Sequence, residues 1–452
     1  MTAMPQISIA RSAAHAILLA VEAGMGHSDD LLRDDSLMAR MPEADRRLTT
    51  ALVLGVLRWQ IRLDEQIRRF MVKPKANLDP AVLIALRLGA FQLLYLDRVP
   101  AHAAINESVE LVKQSGYRSA SGLVNAVLRK IANAPAEKDA PAEAAHPRWM
   151  VDRWTSFFGP GTASAICAYY QNQPSAAIRL VSPEVELELA EANAAISPGN
   201  LISAARILES GDLTSTPAFR ESRVRVQDEG SQLVAEIAAV AIENANRILD
   251  CCAAPGGKTL ILAERNPATH IVACEASPPR LVQLRNRLAV LGDRAECRKA
   301  DATALSFDSE FDVVLADVPC SGTGTLSRNP EIRHRLGPDD LPRQAVRQRA
   351  ILASALKAVR PGGRVVYSTC SLEPEENEEV VAAVLANNPH ARVVPLHATF
   401  KLLRDRGILM ERAAEHLERC VTPEGFLRII PGAFGTDGFF TSVIEKLLRS
   451  EL

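Results

Sequence analysis

From residue 5 to about residue 133, apolar positions recur at intervals of three and four, and no stretch alternates apolar with polar as a half-buried strand does. The spacing predicts helix after helix, an all-α bundle over residues 1–133. The clearest helix runs from Leu78 to Leu96: Asp79 suits the N-cap, Pro80 the first helical position, and Val82, Leu83, Leu86, Ala90, Phe91, Leu93 and Leu94 form a wide apolar face. Further helices are expected over Ala103–Gly116 and Gly122–Ile131. The apolar stretch Ala13–Ala23 is interrupted by His15 and Glu22, so it reads as an amphipathic first helix and not as the core of a signal peptide.

The period then disappears. Residues 133–147, NAPAEKDAPAEAAHP, are rich in Ala, Pro and charge, and residues 134–147 read as a linker. Residues 148–222 mix helical stretches with a short strand-like run, Ala177–Val181, and suggest a small α/β subdomain. Beyond residue 223, short β-rich runs (Arg247–Cys252, His270–Ala276, Phe311–Asp317, Arg364–Thr369) are separated by helices such as Pro278–Leu291 and Leu341–Val359. Residues 223–452 are therefore expected to form an open, doubly wound, Rossmann-like α/β sheet.

A chain of 452 residues fits two or three such domains. With 47% apolar and 23% charged residues it is of ordinary globular composition, and its formal net charge of −2 gives no global attraction to nucleic acid, so any RNA contact must be local. The eight cysteines include no C-x-x-C pair and form no disulfide framework, which fits a reducing cytoplasm without a zinc site. No run approaches the roughly 20 apolar residues that span a bilayer.

The string ILDCCAAPGGKT (248–259) passes from an apolar strand through a Gly-Gly turn into a helix, the place where such sheets bind nucleotide-like ligands. Gly257-Lys258-Thr259 matches the end of a P-loop, but that motif needs a glycine where Cys252 stands. The dinucleotide pattern G-x-G-x-x-G is absent. An S-adenosylmethionine loop is favoured, with Ala253, Ala254, Gly256 and Gly257 allowing close approach and Glu275, about 20 residues on, placed to hold the ribose hydroxyls. Asp301 follows the third strand-like run and is read either as an acceptor for the adenine amino group or as a turn cap.

Two cysteines follow adjacent strands in this reading. Cys320 lies in Asp317-Val318-Pro319-Cys320-Ser321, and Cys370 in Ser368-Thr369-Cys370-Ser371; Cys167, Cys251, Cys274, Cys297 and Cys420 are read as core residues. Cytosine carbon-5 is too weak a nucleophile to accept a methyl group directly, so addition of a thiolate to carbon-6 must activate it. Release of the adduct then calls for a second thiol or base. Asp317 can hold the amino and ring-nitrogen edge of the base. A redox pair or thiol hydrolase is the chemical rival, but neither motif contains a histidine.

The strings DCCAAPGGKT (250–259), DVPCSGTGTLSRNPEIR (317–333), YSTCSLEPEENEEVV (367–381) and DGFF (437–440) resemble those of the RNA 5-methylcytosine methyltransferases, nearest to the bacterial Sun or Fmu branch acting on 16S ribosomal RNA. VPAHAAINESVELVK (99–113) and GLVNAVLRKI (122–131) are similar to the NusB-like RNA-binding bundle that these enzymes carry. The resemblance implies that Cys370 is the nucleophile and Cys320 assists release. It also implies S-adenosylmethionine contacts at Cys252, Ala253, Ala254, Pro255, Gly256, Gly257, Lys258, Glu275, Asp301 and Asp317. It departs at Glu229, where a smaller residue is expected. Arg328, Arg333 and Arg335 follow the reacting loop and are expected to bind RNA phosphates, whereas Arg343, Arg347 and Arg349 also fit the solvated face of a helix. A monomeric enzyme acting on RNA, most simply 16S ribosomal RNA, is expected. The alternatives are an RNA-binding antitermination regulator with an inactive methyltransferase domain, and a methyltransferase acting on protein or a small molecule.

Overall fold

The computed structural model describes residues 7–34, 38, 40–135 and 141–448, and the chain forms two compact units. The first contains the chain up to Gln173 together with Leu326–Arg335. The second contains Pro174–Thr325 and the chain from Leu336 onward.

In the first unit, helices Ile9–Glu22, Ser28–Asp34, Glu43–Phe70, Pro80–Tyr95, Ala101–Gln114 and Ser121–Asn133 enclose a core that includes Ile17, Leu52, Leu63, Ile84, Leu88, Val112 and Leu128. The start of Pro80–Tyr95 follows the expected chemistry: the Asp79 carboxylate accepts from the Ala81 amide at 2.9 Å, and Pro80 leaves no amide unsatisfied. Residues 136–140 of the expected linker lie outside the described residues. Helices Arg148–Phe158 and Pro160–Tyr170 fall within this unit, so the passage to the α/β region comes at Gln173 instead of residue 147. The physical reason is a buried cluster in which His146, Trp154 and Tyr170 pack ring against ring.

The second unit holds two sheets. Strands β1 (Ala176–Leu180), β2 (Ala195–Pro198), β3 (Ala205–Ser210) and β4 (Val224–Val226) form an antiparallel sheet in the order β2-β3-β1-β4. The larger sheet contains β5 (Arg247–Asp250), β6 (His270–Glu275), β7 (Ala295–Lys299), β8 (Phe311–Asp317), β9 (Val359–Thr369), β10 (Ala391–Val394), β11 (Leu427–Ile429) and β12 (Phe439–Lys446). Its order is β10-β12-β9-β8-β5-β6-β7, with β11 on the edge of β12. Strands β9-β8-β5-β6-β7 are parallel, and β12 runs antiparallel between β9 and β10. Leu249, Val272, Val314 and Val365 bury one face, and Ile248, Ile271, Val313 and Val366 the other. Such double-sided burial explains the continuous apolar runs in the sequence.

Buried ion pairs join the small sheet to its neighbours. Arg179 on β1 reaches Glu236 and Glu264, each at 2.9 Å, on helices Glu229–Ala239 and Gly257–Arg265. Glu229 does not disturb its loop. It is buried, and its carboxylate accepts from the amides of Asn200, Leu201 and Ile202 at 2.7–2.9 Å, so the longer side chain closes a turn that a smaller one would leave unsatisfied.

Candidate active site

Strand β5 ends at Asp250, and Cys251–Gly256 turn the chain into helix Gly257–Arg265. Gly256 has φ 101°, a left-handed conformation that a side chain would strain, and its amide donates to the Ala253 carbonyl at 2.7 Å. Asp250 is buried; its Oδ2 accepts from Thr259 Oγ1 at 2.7 Å, whereas Oδ1 has no partner. Burial pushes its carboxyl up to about 6, against the opposing pull of the Thr259 hydrogen bond. Glu275 closes β6 nearly buried, accepting from the Ser277 amide at 2.8 Å, with Arg280 Nη1 at 3.4 Å. Small residues at 253 and 254, a partnerless buried carboxylate oxygen and an acid ending the next strand fit a nucleoside carrying an amino-acid tail. Asp301 Oδ1 accepts from both the amide and hydroxyl of Thr303, so this oxygen serves as the turn cap.

The parallel register of β8 and β9 sets Asp317 opposite Ser368, and the Val318 amide donates to the Ser368 carbonyl at 3.0 Å. Three residues beyond Asp317 and two beyond Ser368, the sulfurs of Cys320 and Cys370 lie 3.2 Å apart. The hydrogen bond with Cys370, and then burial, raise the Cys320 thiol well above the usual range, and either sulfur can donate to the other. The loop is closely fitted: the Gly324 amide donates to the Cys370 carbonyl at 2.8 Å and its carbonyl accepts from Gly438 at 2.8 Å. A Cβ at position 324 would lie 2.5 Å from the Gly438 oxygen and 2.7 Å from that of Cys370. This explains the second glycine of SGTG, and a Cβ at Gly438 of DGFF would lie 2.8 Å from the Leu372 side chain.

Beside the sulfurs, Lys258 Nζ pairs with Asp317 Oδ2 at 2.7 Å, and Ser368 Oγ donates to Oδ1 at 2.7 Å. Burial alone would lower the Lys258 amine, but Asp317 and then Cys370 outweigh it and hold it above its ordinary value. Lys258 thus enters as a cation beside the cysteine pair, where the sequence suggested only a cofactor contact. Of the other cysteines, Cys167, Cys251 and Cys274 are buried; Cys252, Cys297 and Cys420 are half-buried.

A further group, not evident from the sequence, lies beneath the thiols. Glu376 is fully buried, and its carboxylate accepts from the Ser321 amide at 2.8 Å, Gln348 Nε2 at 2.9 Å, and the hydroxyls of Ser321 and Ser371. The one signal for it in the sequence is that each of Cys320 and Cys370 precedes a serine.

The arginines separate differently from expectation. Residues 326–335 belong to the first unit, where Arg333 is 1% exposed and Nη1 donates to the Arg58 and Ala145 carbonyls at 3.2 and 3.1 Å. Its position corrects the phosphate-binding expectation, because burial closes it to RNA. Arg335 is exposed, but its Nη2 donates to the Val21 and Gly26 carbonyls. Arg328 is half-buried. Arg343 is exposed and pairs with Asp340, and Arg347 is exposed on the same helix.

A model of the 16S rRNA methyltransferase RsmB/F family matches residues 237–445, and one of the NusB family matches residues 8–133. The ribosomal RNA small subunit methyltransferase B of Pseudomonas putida is 35% identical to this chain, covering 97% of it and 99% of that protein. The Vibrio cholerae protein of the same name is 31% identical, covering 97% and 98%. A solved structure entitled crystal structure of PH0851 matches with a TM-score of 0.79 over 98% of this chain and all of that one; at 23% identity this is a likeness of fold.

Proposed function

Because this chain belongs to the ribosomal RNA small subunit methyltransferase B family, with a NusB-family domain at residues 8–133, we propose that it methylates carbon-5 of a cytosine in 16S ribosomal RNA through a covalent cysteine adduct. The observation that carries this reading is the pair of sulfurs 3.2 Å apart at the ends of adjacent parallel strands, beside Lys258 and Asp317. Two thiols in contact can share the tasks of attack and release that the reaction requires.

Cys252–Lys258, Glu275 and Asp301 would hold S-adenosylmethionine, which would supply the electrophilic methyl group. Cys370, as its thiolate, forms a bond to cytosine carbon-6, and the electron pair displaced onto the ring makes carbon-5 nucleophilic. Asp317, held by Lys258 and Ser368, grips the amino and ring-nitrogen edge and balances the charge that develops there. After transfer, the Cys320 thiolate takes the carbon-5 proton, and the electron pair of that C–H bond expels the Cys370 sulfur as a thiolate. The base must leave any stack to reach the two sulfurs. A cytoplasmic RNA enzyme working as a monomer fits this chemistry, and Arg328 is the arginine of its segment retained as an RNA contact.

The test is methylation of ribosomal RNA with labelled S-adenosylmethionine, read beside a denaturing gel for protein–RNA adducts. Cys370→Ala should abolish both signals, and Cys320→Ala should trap an adduct. The reverse pattern exchanges the two roles. An intact protein that neither methylates nor forms an adduct on any ribosomal substrate overturns the reading in favour of a regulator.

A further inference from the structure

The structure assigns to Glu376 the role of a positioning residue that sets the separation of the Cys320 and Cys370 sulfurs by clamping the serine after each. This deepens the proposed function and rests on it for the chemical consequence, while the clamp itself rests on geometry.

Cys370 directly follows β9 and Cys320 lies three residues past the end of β8, both in loops, where a backbone is least constrained by its ladder. Pairing of β8 with β9 stops at Asp317 and Ser368, and that of β9 with β12 at Thr369, so strand pairing does not by itself fix the sulfurs. Both cysteines precede a serine turned inward to one shared carboxylate. Ser321 donates its amide and hydroxyl to Glu376, Ser371 donates its hydroxyl, and the two hydroxyl oxygens lie 3.0 Å apart. Gln348, fully buried, takes the fourth contact and sends Nε2 to the Pro319 carbonyl at 3.0 Å, so the residue before Cys320 is held as well.

An ionised carboxylate offers roughly four acceptor sites, and four donors occupy them here. Glu376 is therefore not free to take a proton from substrate, which separates it from the reacting groups. Its own backbone is held too: the Tyr367 hydroxyl donates to the Glu376 carbonyl at 2.5 Å, and the neighbouring Asn377 Nδ2 donates to the Ser371 carbonyl at 2.9 Å. The anchor is thus fixed to β9, the strand that delivers Cys370.

The direct readout is disulfide formation between Cys320 and Cys370 in the full-length protein treated with diamide, compared with alkylation of the two thiols by iodoacetamide. In the parent, the disulfide should form readily. In Glu376→Gln, and in the double variant Ser321→Ala with Ser371→Ala, the ratio of disulfide formation to alkylation should fall about 10-fold or more, because a displacement near 1 Å costs on that scale or beyond. Methylation kcat should fall by a similar factor with KM for RNA and S-adenosylmethionine nearly unchanged. Thermal melting establishes that each variant is folded; if Glu376→Gln does not fold, the double serine variant decides. Unchanged ratios and kcat in a folded variant overturn the clamp. If the parent methylates no RNA, the functional reading fails while the diamide ratio still tests the clamp.

Discussion

Two halves of one sequence string behave in opposite ways. Residues 317–325 belong to the α/β unit and residues 326–335 to the helical unit, with the division between Thr325 and Leu326. In the first half, Asp317 and Cys320 remain half-buried, and each keeps capacity for chemistry beyond its contacts within the chain. In the second half, polar groups are spent on architecture: Glu331 is buried beneath Ser28, Arg333 beneath backbone carbonyls, and His334 reaches the Leu57 carbonyl at 2.7 Å. A charged side chain next to a reacting cysteine is thus no guide to substrate contact. The two cases differ in whether the fold has already supplied the side chain's partners.

The largest effect that sharpens this contrast should come from Glu331→Ala. Ser28 would lose the acceptor for its amide and hydroxyl, both buried, and stability should drop by about 3 kcal/mol by the cost of unsatisfied buried groups. Chemical denaturation would measure it, and a loss below about 1 kcal/mol would contradict the structural role. Next, Lys258→Met should lower methylation kcat about 100-fold, near 2.7 kcal/mol, by removing the cation beside Asp317, with little change in melting temperature. Steady-state kinetics and a melt on the same preparation decide it.

Asp250 gives a smaller effect that depends on pH. Its folded value of about 6 lies above the ordinary 3.8, so the native state holds the proton more tightly than the unfolded chain. Its contribution is fully present below pH 3.8 and is lost as pH rises through about 6. Asp250→Asn should therefore gain relative stability between pH 5 and pH 8, on the order of 1 kcal/mol. Denaturation at those two pH values should show the gap narrowing at the acid end; a gap independent of pH would break the assignment. The smallest effect belongs to Arg335→Ala: an exposed side chain bonding to carbonyls should cost less than about 1 kcal/mol. Its salt dependence of RNA binding should match the parent, whereas a shallower slope would return Arg335 to the phosphate rim.

Much of this arrangement is legible in residue order, and the exceptions have definable causes. Buried parallel strands announce themselves as short apolar runs, so pattern alone places β8 at Phe311–Asp317 and the cysteines at the ends of neighbouring strands. Asp79 and Pro80 mark a helix start through interactions a few residues long. Arg333 carries no comparable signal, because the carbonyls that receive it belong to Arg58 and Ala145, far away in sequence. Helices 148–158 and 160–170 have apolar faces that do not reveal which unit they cover. Glu376 stands in the acidic run Glu373–Glu379, which reads as a solvated helix start until Ser321, Gln348 and Ser371 converge on it. Contacts local in sequence are legible from pattern; those that depend on distant partners are not.

Strand β12 is the last strand in chain order, yet it lies between β9 and β10 and carries Gly438 at its threshold. Synthesis proceeds from the N-terminal side, and domains fold as their segments emerge. The helical bundle is available early, apart from the 326–335 segment it awaits, whereas the loop of Cys320 has no Gly438 amide to lean on until nearly all of the α/β unit has been translated. A nascent chain that stops short of residue 437 therefore holds both cysteines and the Glu376 clamp without the Gly438 amide that closes the loop of Cys320. Competence for chemistry is a late event in the protein's biosynthesis, timed by the position of one interior strand.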